Sequence, residues 1–396
     1  MKFYGLLNKR KMKNKISLVK ILTVIFLFKV GIITAQVPDN NQIPKWIIEN
    51  RSMASDSIPE VDYGYLSKWI ADNKQPAEDY FINLFKSHDL IVYGESHNIR
   101  EHKDFIIKLI PRLYFEAGVR CIGWEFTTPS SDVELMKLVR SPTFDYSAQL
   151  DFARRQGSHA WTSKEHWDII EAIRELNTYL PADSDKLMLV GLDKEIDWVN
   201  LYTKLKTLPK DSPELMKLLE LEQVRDVEMA KNAERQTLAK GIKALLFVGL
   251  GHDLTHFGLP PDPPYRRPIM AQILYKKYGD RVYQVCPDWG VFPSINKAAG
   301  KIFSNPIGFD MPNSPFANIL IKEMGTVPTR LQTNFRGYIY FGPRNSLHRN
   351  TFIEGFVTDE MFSKYKRYYE IDFGKTFNSA KDVNDFFRQK ALSVLK

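Results

Sequence analysis

Acidic residues are missing from the first 35 positions of this 396-residue chain, which hold seven Lys and one Arg. The full sequence has 55 basic and 47 acidic residues, a formal charge of +8, and without those eight cations 47 of each remain. The positive balance therefore belongs to the leader, and no electrostatic case for nucleic-acid binding is left. Long hydrophobic runs are missing too. The segment Ile21–Phe28, interrupted by Lys29 and continued to Ala35, offers roughly 14 apolar residues where a bilayer span takes about 20. A basic start, a short apolar stretch and the small Thr34-Ala35 pair before Gln36 read as a secretory signal over residues 1–35. The expected location is the periplasm or the outside of the cell, with membrane contact only through a signal left uncleaved. No cysteine lies near the cut to take a lipid.

Cysteine is scarce throughout. Cys121 and Cys286 each fall inside an expected strand, form no metal-type spacing and build no disulfide framework, so two separate buried thiols are expected. Several catalytic signatures are absent. There is no Gly-x-Ser-x-Gly elbow, since Ser96 sits in Gly-Glu-Ser-His-Asn, so a serine-triad hydrolase is not supported. A Walker A loop, a dinucleotide fingerprint and a His-Glu-x-x-His helix are also missing.

The polar, proline-punctuated stretch 36–58 reads as a linker, and residues 59–396 as one α/β domain with its core at 85–290. Leu90–Tyr93, Val119–Phe126, Lys186–Leu192, Ala244–Leu250 and Arg281–Cys286 are short apolar runs bounded by Gly or charge, the pattern of buried strands. Between them, Glu101–Glu116, Lys164–Tyr179, Pro213–Thr237 and Pro268–Tyr278 have helical period. This alternation predicts a mainly parallel β-sheet flanked by helices on both faces. Residues 287–350, rich in Pro, Gly and Asn, either complete the sheet or lie over its edge, and the tail from Val357 reads as helical.

Ligands of such sheets bind outside the carboxyl ends of the strands. Four of the expected strands end in Gly94-Glu95-Ser96-His97, Gly123-Trp124-Glu125, Gly191-Leu192-Asp193 and Gly249-Leu250-Gly251-His252-Asp253. Glycine permits tight turning and close approach. Glu95, His97, Glu125, Asp193 and His252 are thereby sent to one end of the sheet. His256 follows His252 by four residues and would share its face if the stretch were helical. His102 and His166 lie in helical segments and read as packing or surface residues. Arg225, Met229 and Asn232 share one helical face, from which Arg225 could pair a carboxylate and Asn232 could donate to a substrate. Imidazoles beside carboxylates leave two chemistries open, activation of water by a His–Glu pair or a divalent metal held by the same groups. The expected ligand is a small molecule, and oligomeric state is not legible.

Over residues 85–290 these motifs resemble the erythromycin esterase family and, more loosely, the wider group of ChaN-type haem-binding lipoproteins and TraB/TIKI-type metalloproteins. The resemblance rests on Gly94-Glu95-Ser96-His97 with Glu101, on Trp124-Glu125, on Trp161 with the helix reaching Asn177, and on Gly191-Leu192-Asp193. It also includes Arg225-Asp226-x-x-Met229-Ala230-x-Asn232 and His252-x-x-x-His256 followed by Tyr278-Gly279. It implies an esterase-like hydrolase in which His97 activates water, held by Glu125 or Glu95, while His252 assists. Arg100 would offer a cation to the oxyanion, and Asp193, Arg225, Asn232 and His256 would line the substrate. Three departures stand out, the first being that His256 follows His252 by four residues where the esterases have a closer second His. One residue separates Glu95 from His97 where the esterases have two, and Asp253 replaces an Asn after the first His of the second motif. The short Glu-x-His form is nearer the ChaN-like branch, so the alternative reading is a non-catalytic haem-, iron- or metal-binding protein.

Overall fold

The computed structural model describes residues 60–156, 162–209, 212–254, 269–290, 292–321 and 329–392. The expected signal, the linker, Trp161 and His256 lie outside these residues. Among the described residues no helix is long and apolar enough to cross a membrane.

Eight strands form one sheet. They are β1 (Gln75–Pro76), β2 (Leu90–Glu95), β3 (Cys121–Trp124), β4 (Met188–Gly191), β5 (Ala244–Gly249), β6 (Val282–Pro287), β7 (Ile307–Asp310) and β10 (Gly337–Tyr340). Their order is β1-β7-β10-β6-β2-β5-β3-β4, while β8 (Leu320–Ile321) and β9 (Thr329–Arg330) pair separately. The six strands from β10 to β4 run parallel, and β7 is antiparallel to β10 and to β1. The expected fold class, α/β with a mainly parallel sheet and helices on both faces, is the one observed. The Pro- and Gly-rich region completes the sheet through β7 and β10.

Alternation along each strand divides the core. Ile91 and Tyr93 join Trp124 and Phe247 on one face, where the Arg100–Phe115 and Lys164–Tyr179 helices pack. Leu90 and Val92 join Leu246 and Val248 on the other, under Met229, Ala230 and Ala233 of the Arg225–Gln236 helix. The long segment expected at Pro213–Thr237 is two helices, Pro213–Gln223 and Arg225–Gln236, interrupted at Val224. That interruption lets the second helix start at the sheet edge, with Arg225 in its first turn. The helix carrying His252 spans only Leu250–Asp253, and Leu254 is extended. The helix thus ends at Asp253, and the relation of His252 to His256 lies outside the described residues.

A strap from the C-terminal region crosses the carboxyl ends of the strands. Arg349 bridges to Ile99 and Phe352 to Ser163. The tail then folds into the helices Asp359–Phe373 and Ala380–Ala391.

Both cysteines are buried and unbridged, Cys121 in β3 and Cys286 in β6. Of the two reasons expected for the four strand-end glycines, close approach applies, here by the chain's own neighbours, and a positive-φ turn does not. None adopts positive φ. Each is instead overlain by neighbours. A Cβ on Gly94 would lie 2.7 Å from Asp253, and one on Gly249 would lie 2.5 Å from His97 Cε1 and 3.0 Å from Glu125 Oε2.

Candidate active site

Register brings the strand-end groups level, because Glu95 pairs with Gly249 and Trp124 with Phe247 across β2, β5 and β3. Two polar clusters result, one on each face of the sheet, and they meet at Gly249.

The first cluster centres on Glu95, which is 1% exposed at the end of β2. Its Oε1 accepts from His97 Nδ1, and its Oε2 lies 2.5 Å from the Lys103 ammonium. His166 Nε2 faces Oε1 at 3.8 Å. Lys103 also donates to the carbonyls of Ser96 at 2.5 Å and Ile99 at 3.0 Å. Burial pushes the Glu95 carboxyl up, but Lys103, His97 and His166 outweigh it and hold the group well below the usual carboxylate range. Glu95 is thus a fixed anion and no helix cap. His166 is pushed down to about 4, chiefly by burial, and so is neutral near pH 7. His102 donates from Nε2 to the Asp288 carbonyl and accepts the Ser96 N–H at Nδ1, and burial lowers it to about 3. It is the packing residue expected.

The second cluster surrounds Glu125, just beyond β3. Its Oε1 lies 2.9 Å from Arg225 Nη2 and 3.2 Å from His252 Nε2, and its Oε2 accepts the Gly249 N–H. Arg225 forks onto Asp193 through Nε at 2.6 Å and Nη2 at 2.9 Å, with its guanidinium 4.7 Å from the Trp198 ring centre. His252 Nδ1 meets Asp226 Oδ1 at 2.7 Å. Burial pushes His252 down, but Glu125 and Asp226 more than reverse it, to about 9. Its Nε2 meets the Arg225 Nη1 donor at 3.1 Å and lies 3.2 Å from Glu125 Oε1, so the ring sits between the guanidinium and the Glu125 and Asp226 carboxylates. Burial raises Glu125, yet His252, Arg225 and His97 hold it well below the ordinary range. Asp193 is shifted upward, by burial more than Arg225 offsets.

His97 joins the clusters. Its Nδ1 is anchored on Glu95, and Cε1 and Nε2 lie over Gly249 beside Glu125 Oε2. Its side chain is 35% exposed while Glu95 is sealed, which leaves the imidazole as the accessible basic group.

The structure thus brings together Glu95, His97, Glu125, Asp193, Arg225 and His252. It sets two others apart. Arg100 pairs with Glu165, Nε to Oε1 at 3.3 Å, the carboxylate that also accepts the Thr351 N–H of the strap. Asn232 donates to the Leu192 carbonyl at 3.0 Å and accepts from Arg235, fixing the β4 turn in place of a substrate. Three participants were not read from the sequence. Lys103, His166 and Asp226 are buried beside the acids or imidazoles of the site. The available signal was helical phase, since Lys103 shares a stripe with Ile99, Ile106 and Ile110, and His166 with Ile169, Ile170 and Ile173.

Glu95, His97 and His166 place one donor atom each within 4.8 Å of one another, which raises the divalent-metal option directly. The donor set does not fit it as folded. Oε1 of Glu95 holds the His97 N–H and Oε2 holds a buried ammonium. A divalent ion would break that hydrogen bond and sit beside a desolvated cation.

Fold and site define a class, α/β proteins with a mainly parallel sheet and an imidazole–carboxylate site at its carboxyl edge. No family model and no curated protein matches the chain. Among solved structures it is similar to a Bacillus cereus protein, with TM-score 0.54, 14% identity and coverage of 74% of this chain and 99% of that one. It is also similar to a succinoglycan biosynthesis protein, at TM-score 0.52, 11% identity and coverage of 74% and 99%. An erythromycin esterase in its open conformation aligns at TM-score 0.47, 11% identity and coverage of 69% and 94%. These likenesses concern the fold alone.

Proposed function

We propose that this chain is an exported hydrolase that cleaves an ester or related bond in a small molecule, in the periplasm or beyond it, without a metal. The observation that carries the reading is the arrangement of His97, with Nδ1 on a sealed carboxylate and its other edge over Gly249, facing the His252–Arg225 side of the site. A proton on Nδ1 leaves Nε2 with its lone pair, which suits it to remove a proton from water. The hydroxide formed attacks the carbonyl carbon, and the negative charge that develops on oxygen is turned toward the Arg225 guanidinium, which Asp193 and Glu125 hold in place. Protonated His97 then returns the proton to the leaving oxygen. Glu95 and Glu125 hold the two imidazoles, and Asp193 and Asp226 hold Arg225 and His252.

The test is a screen of small ester and peptide substrates with protein purified without chelator, alongside His97→Ala. Turnover should fall by about 10²–10⁴-fold in the variant. Activity equal to wild type in His97→Ala would remove the base. A Soret band, or stoichiometric metal together with no turnover, would replace hydrolysis by ligand binding.

A further inference from the structure

Resting on that reading, we propose that Asn350, on the C-terminal strap, is a positioning residue that fixes the order of protons around His97, Glu95 and His166. Asn350 is 8% exposed and donates from Nδ2 to the His97 carbonyl at 2.6 Å and to Ser163 Oγ at 3.1 Å. The His97 carbonyl only accepts, so the amide must present nitrogen there, and its orientation is not interchangeable. Ser163 Oγ receives that N–H and makes a second contact, with His166 Nδ1. One lone pair is engaged by Asn350, and the Glu95 carboxylate facing His166 Nε2 favours the arrangement in which the hydroxyl hydrogen goes to His166 Nδ1. The His166 ring proton then sits on Nε2, which faces Glu95 Oε1. Glu95 in turn accepts from His97 Nδ1, and the His97 carbonyl returns to Asn350.

The result is a run of contacts through five residues drawn from three parts of the chain, with His166 and Glu95 approaching to 3.8 Å. Glu95 holds the His97 proton on Nδ1, and the Asn350–Ser163 contact acts on the His166 ring that faces the same carboxylate. The opposite tautomer of His166 would turn a ring lone pair toward the carboxylate, so Glu95 and Asn350 enforce the same state from two sides. The strap that carries Asn350 is itself pinned on both flanks. Thr351 N–H donates to both oxygens of Glu165 at 2.9 and 2.8 Å, Lys164 N–H donates to the Thr351 carbonyl at 2.8 Å, and Arg100 N–H donates to the His348 carbonyl at 2.9 Å. An amide held this rigidly can impose a direction on a hydroxyl.

The test uses the mature full-length protein labelled with ¹⁵N at histidine, and long-range ¹H–¹⁵N spectra that distinguish Nε2–H from Nδ1–H rings. Wild type should show His166 as Nε2–H and His97 as Nδ1–H. Asn350→Asp can accept but not donate, so Ser163 turns its hydrogen to the new carboxylate and its oxygen toward His166 Nδ1. Nδ1–H His166 should then appear, with His97 resonances shifted. Asn350→Ser, which can donate to one partner only, should be intermediate and guards against loss of folding in the Asp variant. His166 found as Nδ1–H in wild type, or unchanged His166 and His97 spectra in both variants, would overturn the proposal. These spectra need no substrate, so they decide it even if hydrolysis is wrong. On any substrate found, Asn350→Asp should lower kcat by roughly ten- to a hundredfold with KM little changed.

Discussion

Lys103 shows how far one residue can depart from its usual role. A lysine in an amphipathic helix is expected at the surface, yet here its ammonium is sealed against Glu95 and two carbonyls. The ion pair is worth little compared with two well-packed apolar residues, whereas removal of one partner strands a buried charge. Lys103→Met and Glu95→Gln should therefore each cost about 3–5 kcal/mol in urea unfolding. The double variant should lose less than the sum, because neither charge is left unpaired. Additive losses would mean that the two groups do not compensate each other. His166 escaped the sequence reading for a related reason. A histidine on an apolar stripe resembles a packing residue, as His102 proves to be, and only the Ser163 contact and the approach to Glu95 separate the two.

At the scale of elements, strand periodicity was highly legible. Leu90, Ala244 and Val282 begin runs that the sequence placed within a residue or two, since strands buried on both faces leave continuous apolar signatures. The Gly-acid turns located the site for the same reason. The strap was not legible, because its function lies in backbone hydrogen bonds that any polar segment could make. It stands in for helix caps. Neither Ile99 nor Ser163 makes a side-chain capping bond, and the N–H groups of Arg100 and Lys164 go to strap carbonyls. In return Glu165 and Glu101 accept strap N–H groups. Glu165→Ala should cost about 1–2 kcal/mol, the scale of a lost cap. Glu101→Ala, at the solvent-exposed end, should cost less. Equal losses in thermal or urea unfolding would show that the buried end does not anchor the strap.

For the whole molecule, buried histidines couple stability to pH in opposite directions. The folded value of His252, about 9, exceeds the unfolded value near 6.5, so its contribution is full below about 6.5 and is lost as pH rises through about 9. His102 and His166, lowered to about 3 and about 4, contribute fully above about 6.5 and lose that contribution as pH falls. Urea midpoints measured from pH 5 to 9 should decline on the alkaline side, and His252→Gln should flatten that decline. An unchanged alkaline slope in the variant would show that His252 does not carry the proton. The sheet order that sets these burials could be expected only as a class, because β5 inserts between β2 and β3, a choice made by packing rather than by any local motif.

The bond from Asn350 to the His97 carbonyl spans 253 positions of sequence. A chain still being made, or cut anywhere upstream of the strap, would own both imidazoles yet lack the clasp that sets them. Such a protein would hold the two rings without the contact that fixes their surroundings until its last seventh had arrived.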